Sequence, residues 1–295
     1  MKPAAFDYHL PGSIDEALNL YTKCEDGRFL AGGQSLVPMM SLRLAAPSDI
    51  IDLNKIKELS GVYSSDDYIH IGAMTRQDQM GSDELLCEHV PIMNAVIDSV
   101  GHPGTRTRGT IGGSLCHADP AAELPALFLA LDAQLVVAQA GGTTRTIAIE
   151  SFFTGHFETA LHSDELLTEI QIPITPKRHM GFHEITARSS DFAMAGAIAS
   201  ATLAASGTLD AVRVVTFGLG DRPVRLRDVE IAVANANANA NGDPTALRSA
   251  AQLTKDLVLP RDEIHLSANY RTRLAVAVVQ RALEGALAVE SGFIR

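Results

Sequence analysis

The sequence has no tryptophan, few aromatic residues and only three cysteines. Trp is 0 and aromatics make up 5% of 295 residues. No row of rings is therefore available to stack on nucleic-acid bases, and the core must be packed from Ala, Val, Leu and Ile. Cys24, Cys87 and Cys116 are odd in number and widely spaced, which is neither a disulfide framework nor a metal-ligand pattern. Iron–sulfur clusters take roughly four cysteine ligands, so this chain does not hold one alone. Basic runs are missing as well. A net charge of −11, from 24 Lys+Arg against 35 Asp+Glu, excludes a nucleic-acid backbone as partner. The basic clusters that favour anionic membranes are absent. The opening MKPAAFDYHLPGS has no apolar core of a secretory signal. One long uncharged stretch, Phe192 to Leu209, is mostly Ala, Gly, Ser and Thr, and it reads as a buried strand and turn rather than a membrane span. The expectation is a soluble, cytoplasmic chain without membrane insertion.

What is present is a chain that is 46% hydrophobic, enough for a sizeable core, and long enough for about two domains. Its first two-thirds alternates short strands, glycine turns and helices. Strands are predicted at 28–31, 49–53, 68–73 and 166–172, the last with Leu166, Ile170 and Ile172 on one face. A hairpin, 134–138 with 143–149, is predicted about Gly141-Gly142. Helices are predicted at 36–44, with Ser35 as N-cap and Pro38 in the first turn, and at 77–80, 90–100 and 121–131. Pro173 and Pro176 punctuate the chain and mark the predicted boundary. The first domain is 1–175, in sub-parts of about 1–55 and 56–175, and the second is 176–295. Beyond the boundary three consecutive strands near 181–187, 193–204 and 211–219 precede helices that end with 274–287, an α+β order. The Asn/Ala run 235–241 reads as a solvated helix end or loop.

Two glycine pairs carry the chemistry. Ala31-Gly32-Gly33-Gln34-Ser35 and Thr110-Ile111-Gly112-Gly113-Ser114 each join adjacent glycines to hydroxyl side chains. Such loops let backbone N–H groups point at a phosphate without a Cβ in the way. Each alone also reads as an ordinary tight turn, and neither matches the P-loop or the G-x-G-x-x-G fingerprint. Together they suggest two clamps on one diphosphate. On this reading a bulky residue at Gly33 or Gly113 would occupy the space of the phosphate oxygens. Asp119, before Pro120, either accepts from ligand hydroxyls or starts a turn. Arg106 and Arg108 either steady a diphosphate or are solvated loop charges. Cys116 beside His117 lacks a third partner, and His179 and His183 are four apart in a predicted strand, where that spacing does not chelate. No catalytic residue and no metal ligand is assigned.

AGGQSLVPMMSLRLAAP (31–47) and RGTIGGSLCHADPAAELPAL (108–127) resemble the FAD-binding medium subunit of aerobic carbon monoxide dehydrogenase and the FAD domain of xanthine dehydrogenase, the molybdenum hydroxylases. The opening FDYHLPGSIDEAL and the tail HLSANYRTRLAVAVVQRAL extend the likeness over nearly the whole chain. The resemblance implies an α+β protein: a two-part FAD-binding domain of the vanillyl-alcohol-oxidase (PCMH) type, then a small domain with a three-stranded antiparallel sheet and helices. It implies that FAD is held without a covalent bond by Ala31, Gly32, Gly33, Gln34, Ser35 and Leu36 and by Thr110, Ile111, Gly112, Gly113 and Ser114. Asp119 would hold the ribityl side and Leu166 or Leu167 the adenine. His183, in FHEITARSSDFA (182–193), would lie near the flavin, where relatives often carry Lys or Glu; Gln34 stands where many have His. The implied partners are a large molybdopterin subunit and a small subunit with two [2Fe-2S] clusters, in a dimer of heterotrimers, with an external electron acceptor. The implied task is electron transfer. Two other readings stay open: a self-contained FAD-dependent reductase or oxidase acting on a small substrate, which needs a proton donor beside the flavin, and a nucleotide-binding scaffold that has lost FAD.

Overall fold

The computed structural model describes residues 2–176, 178–203, 209–240, 244–262, 264 and 266–287. The first unit begins with a parallel three-stranded sheet. β1 (Asp7–His9), α1 (Ile14–Tyr21), β2 (Gly27–Leu30), α2 (Leu36–Ser41) and β3 (Asp49–Asp52) follow in order, with β3 central in the strand order β1-β3-β2. Ser13 caps α1 by accepting from Glu16 N–H, and Asp15 and Glu16 in its first turn suit the helix dipole. α2 is shorter than predicted and Ser35 makes no side-chain cap.

The second part is an antiparallel sheet of order β4-β5-β10-β6-β7, built from β4 (Val62–Ser64), β5 (Tyr68–Gly72), β6 (Gln134–Gln139), β7 (Thr144–Ala148) and β10 (Glu165–Pro173). A two-stranded ribbon, β8 (Phe153–Gly155) and β9 (Glu158–Thr159), sits beside it. Six short helices run between β5 and β6: α3 (Gln77–Met80), α4 (Glu84–His89), α5 (Met93–Ser99), α6 (Pro103–Arg106), α7 (Ile111–His117) and α8 (Glu123–Ala130). Every residue of α8 is buried. Pro125 is its third residue, where the missing N–H costs no helical bond. A bulge between Leu167 and Glu169 shifts the register of β10 on β6. It overturns the predicted common face: Leu167, Ile170 and Ile172 enter the main core, while Leu166 packs with Leu18 and Ile51 of the first part.

The second unit is an antiparallel sheet of β11 (Arg178–Thr186), β12 (Ala193–Leu203), β13 (Leu209–Phe217) and the two-residue β14 (Val224–Arg225). The sequence predicted three of these strands; β14 is too short to show a period. Four helices follow: α9 (Arg227–Ala240), α10 (Pro244–Gln252), α11 (Thr254–Leu257) and α12 (Ala268–Leu287). The Asn/Ala run lies in the last turns of α9 as far as Ala240; Asn241 lies outside the described residues. Small residues explain the uncharged stretch. Ala195, Ala197, Ala199 and Ala201 on β12 share a core with Ala275, Val278, Val279 and Ala282 of α12, and a Cβ on Gly181 would come 2.0 Å from the Ala282 carbonyl oxygen. The opposite face carries Ile198, Val215 and Phe217 into the core of the first unit. Arginines stitch the seam: Arg213 to Asp132 at 2.9 Å, Arg222 to the Thr154 carbonyl at 2.9 Å, and Arg227 to Glu150. Among the described residues no helix is long and apolar enough to cross a membrane.

Candidate FAD site

Gly32 sits two residues past the end of β2, and an added Cβ there would lie 2.3 Å from the Arg108 carbonyl oxygen. The first glycine loop is therefore pressed against the start of the second. Asn54 and Arg76 fasten the pair. Asn54 Nδ2 donates to the Ala31 carbonyl at 2.9 Å and its Oδ1 accepts from Arg76 Nη2 at 2.5 Å. Arg76 Nη1 donates to the carbonyl of Arg108. Neither side chain was singled out in the sequence, because the contacts span 22 to 32 positions.

The two loops differ in how they spend their amides. Gly33 has φ +73°, a left-handed conformation that favours glycine, and the chain then enters α2. The N–H groups of Gly32, Gly33, Gln34, Ser35 and Leu36 donate to no acceptor among the described residues. In the second loop the amides are engaged. Ile111 N–H donates to Thr75 O at 3.1 Å, Gly112 N–H to Ala73 O at 2.8 Å and Ser114 N–H to Thr110 O at 3.1 Å. Gly113 N–H donates to Thr110 Oγ1 at 3.1 Å, the N-cap of α7. The glycines here make room for protein. A Cβ on Gly112 would come 2.6 Å from Ala73 Cβ, and one on Gly113 would come 2.7 Å from Thr110 Oγ1. At Gly33 the obstacles are the positive φ and Val37 Cγ2 at 3.1 Å. The steric reason expected from the sequence is thus replaced at both positions by contacts within the chain.

Both loops border one cavity of about 1110 Å³. It is lined by Ala31, Gly32, Gly33, Gln34, Ser35 and Leu36, by Thr110, Gly112, Gly113 and Ser114, and by Asp119, Leu166 and Leu167. Two predicted site residues stand apart from it. The Ile111 side chain is fully buried in the main core. His183 lies on the face of β11 that meets α12, as its alternation with Gly181 requires, and it accepts from Arg281 Nη1 at 2.7 Å. Burial and then the Arg281 charge push its imidazole below the usual histidine range. Asp119 starts a turn, accepting from Ala121 N–H at 2.9 Å, while its second oxygen keeps no partner among the described residues. Arg106 binds the carbonyls of Val100 and Gly101 and does not line the cavity; nor does the exposed Arg108.

Sequence reading missed several wall residues. Gln77 is 5% exposed and its Oε1 is buried without a hydrogen-bond partner. Glu123 is 6% exposed, and burial pushes its carboxyl up to about 8. Each is the first residue of a short helix, a position that leaves no periodic trace. Asp191 and Phe192, from the turn before β12, also line the cavity; the segment 182–193 held the only signal for them. Cys116 is open to the cavity but has protein packed around it, and burial pushes its thiol up to about 12. It is no thiolate at neutral pH. His9, Cys24 and Asp49 cluster in the first part, with His9 Nε2 and Asp49 Oδ1 2.8 Å apart.

Comparison with known proteins identifies the family. Residues 4–175 match the family described as the FAD binding domain in molybdopterin dehydrogenase, and residues 181–286 match the CO dehydrogenase flavoprotein C-terminal domain. The chain is 35% identical over 289 residues to the 6-hydroxypseudooxynicotine dehydrogenase complex subunit alpha of Paenarthrobacter nicotinovorans, covering 97% of this chain and 96% of that one. It is 33% identical to the carbon monoxide dehydrogenase medium chain of Afipia carboxidovorans, covering 98% and 99%. A chain in the crystal structure of quinoline 2-oxidoreductase from Pseudomonas putida 86 superposes with a TM-score of 0.91 at 33% identity, over 98% of this chain and 99% of that one. The chain belongs to the family of FAD-binding medium subunits of the carbon monoxide dehydrogenase and xanthine dehydrogenase type, oxidoreductases of the molybdenum hydroxylase class.

Proposed function

We propose that this chain binds FAD without a covalent bond in the cavity between its glycine loops and relays electrons through it. The carrying observation is the run of five unpartnered amides, Gly32 to Leu36, on the cavity wall. Oriented N–H groups of this kind complement a diphosphate in a chain whose net charge is −11. The buried, unpaired Gln77 Oε1 offers an acceptor on the same wall. At about 1110 Å³ the cavity lies just above the usual span of ligand sites, about 300–1,000 Å³. Asp119 offers its free oxygen to ribityl or ribose hydroxyls, and Leu166 and Leu167 offer an apolar surface for the adenine. FAD supplies the redox chemistry; the residues of this chain bind it, orient it and exclude water.

The electrons arrive, on this reading, from two [2Fe-2S] clusters of a small partner subunit. They originate at a molybdopterin centre in a large subunit, and they leave to an external acceptor. The absence of a cluster-binding cysteine set in this chain supports that division of labour. A dimer of heterotrimers, a cytoplasmic site and a division of the chain at residues 175 and 176 belong to the same reading. Purification with the two neighbouring chains tests it. The expected complex is yellow, with one FAD per copy of this chain released on denaturation. A colourless complex that takes up no added FAD overturns the assignment. A lone chain that turns over a small substrate with NAD(P)H supports the self-contained reductase instead.

A further inference from the structure

The parallel sheet of the first unit brings a histidine, a cysteine and an aspartate together on one face. Asp49 opens β3, and its register partner on β1 is Asp7. His9, two residues further along β1, has its side chain on the same face as Asp7. On its other side Asp49 pairs with Gly27 of β2. Gly27 has no side chain to fill that position, and Cys24, from the connection between α1 and β2, folds over it. A Cβ on Gly27 would lie 2.9 Å from Cys24 Cβ and 3.4 Å from its Sγ. One imidazole nitrogen, one thiol sulfur and one carboxylate oxygen thereby lie within 4.8 Å of one another. His9 Nε2 and Asp49 Oδ1 are in hydrogen-bond contact at 2.8 Å. The second carboxylate oxygen is held from behind. Asp49 Oδ2 accepts from Ser48 Oγ at 2.7 Å, and Ser48 Oγ accepts from Asp26 N–H at 3.2 Å. No lysine or arginine pairs with Asp49 among the described residues.

We propose that His9, Cys24 and Asp49 bind a divalent cation of the zinc class, with water as fourth ligand, and that the ion staples β1, the α1–β2 connection and β3 together. The donor set selects the metal. Calcium and magnesium take oxygen ligands, whereas a mixed sulfur, nitrogen and oxygen set suits zinc. Zinc bonds of about 2.0–2.3 Å put tetrahedral ligand atoms about 3.3–3.6 Å apart. That spacing falls between the 2.8 Å contact and the 4.8 Å limit of the cluster. All three side chains are half-buried, so they can rotate to close the difference and water can reach the open position.

The chemistry of binding is simple. The Cys24 S–H bond breaks, its proton goes to solvent, and the thiol gives up its 3.3 Å hydrogen bond to the Leu20 carbonyl. The imidazole keeps its proton on Nδ1, and three metal–ligand bonds form. Thiolate and carboxylate balance the two charges of the ion, and nothing is oxidised or reduced. None of the three residues lines the FAD cavity. The inference therefore stands apart from the flavin reading. His9 and Asp49 are 40 positions apart, so no ligand spacing marks the site in the sequence.

The test is the zinc content of the purified complex after dialysis against a chelator and then against Zn²⁺, with X-ray absorption at the zinc edge. The wild type should retain one zinc per copy of this chain that Cys24→Ser lacks. The edge spectrum should show one sulfur at about 2.3 Å and nitrogen or oxygen at about 2.0–2.1 Å. Cys24→Ser, His9→Ala and Asp49→Asn should each lower zinc affinity about a hundredfold or more, and Ser48→Ala, which only supports a ligand, about tenfold. Cys87→Ser should leave it unchanged. Zinc should also slow amide exchange in β1 and β3 of the wild type and not of Cys24→Ser. No retained zinc, zinc without a sulfur neighbour, or bound zinc that leaves amide exchange unaltered overturns the proposal. Equal zinc in Cys24→Ser overturns it too, since the ion is then adventitious or held by a partner. If Cys24→Ser does not assemble, His9→Ala decides by the same comparison. Flavin content is read separately, and failure here leaves the FAD assignment untouched.

Discussion

The two glycine loops have nearly the same composition and opposite tasks. In the first, the chain turns through a left-handed Gly33 and leaves five amides without protein acceptors. In the second, Thr75, Ala73 and Thr110 absorb the amides, and the glycines let backbone and cap approach within van der Waals distance. On the proposed reading one loop grips the diphosphate, while the other serves as a buttress. A double glycine therefore reports close approach of something, and only the hydrogen-bond account says whether that something is a ligand or the chain itself.

The contact between the loops is the point where the comparison breaks most easily. Gly32→Val forces a Cβ into the Arg108 carbonyl, and overpacking of that kind costs about 1–3 kcal/mol. The expected result is a lower denaturation midpoint together with complete loss of FAD, read by chemical unfolding and flavin release. Retention of both would mean that the loops need not touch. A smaller effect separates gripping from folding. Gly33→Ala strains the left-handed turn by about 1–2 kcal/mol, and the simplest relief is to rotate the amides that follow. FAD affinity should fall by at least tenfold while thermal stability drops little, as titration calorimetry and thermal melting would show. Equal affinity would remove the first loop from the diphosphate.

Thr110→Val examines the buttress. It deletes the N-cap of α7, worth about 1 kcal/mol, and frees Gly113 N–H. Stability should fall by that amount while FAD content stays full, the reverse of Gly33→Ala. FAD loss without a stability change would show that the second loop also grips.

Local patterns in the sequence revealed the strands of four or more residues, though not the shorter β1, β4, β8, β9 and β14, together with the hairpin about Gly141-Gly142 and both loops, because each is a matter of a few adjacent residues. What stayed hidden depends on distant partners. The register shift in β10 centres on Thr168, whose carbonyl accepts from Ala73 N–H at 2.9 Å. Ala73 in turn accepts from Gly112 N–H. A bulge in one strand thus seats the second loop, and no window of sequence contains all three residues. The same limit applies to His183, placed by parity on the face of α12, and to Gln77 and Glu123. Their importance comes from burial at a helix start, and a polar residue there reads in sequence as an ordinary solvated first turn.

Cys116 offers the mildest test of the contrast, since it sits on α7 directly beyond the buttress and opens onto the cavity. A thiol raised to about 12 by burial stays protonated across the working pH range, so it is neither nucleophile nor redox partner. Cys116→Ser swaps one small weak donor for another at nearly constant volume. FAD content, midpoint potential and the rate of flavin reoxidation should all remain within about twofold of wild type, a change of under ~0.5 kcal/mol. Stopped-flow reoxidation of the reduced complex reads this directly. A tenfold slowing at full FAD content would give the cavity wall a thiol-dependent step, and the second loop and its helix would then be more than a support.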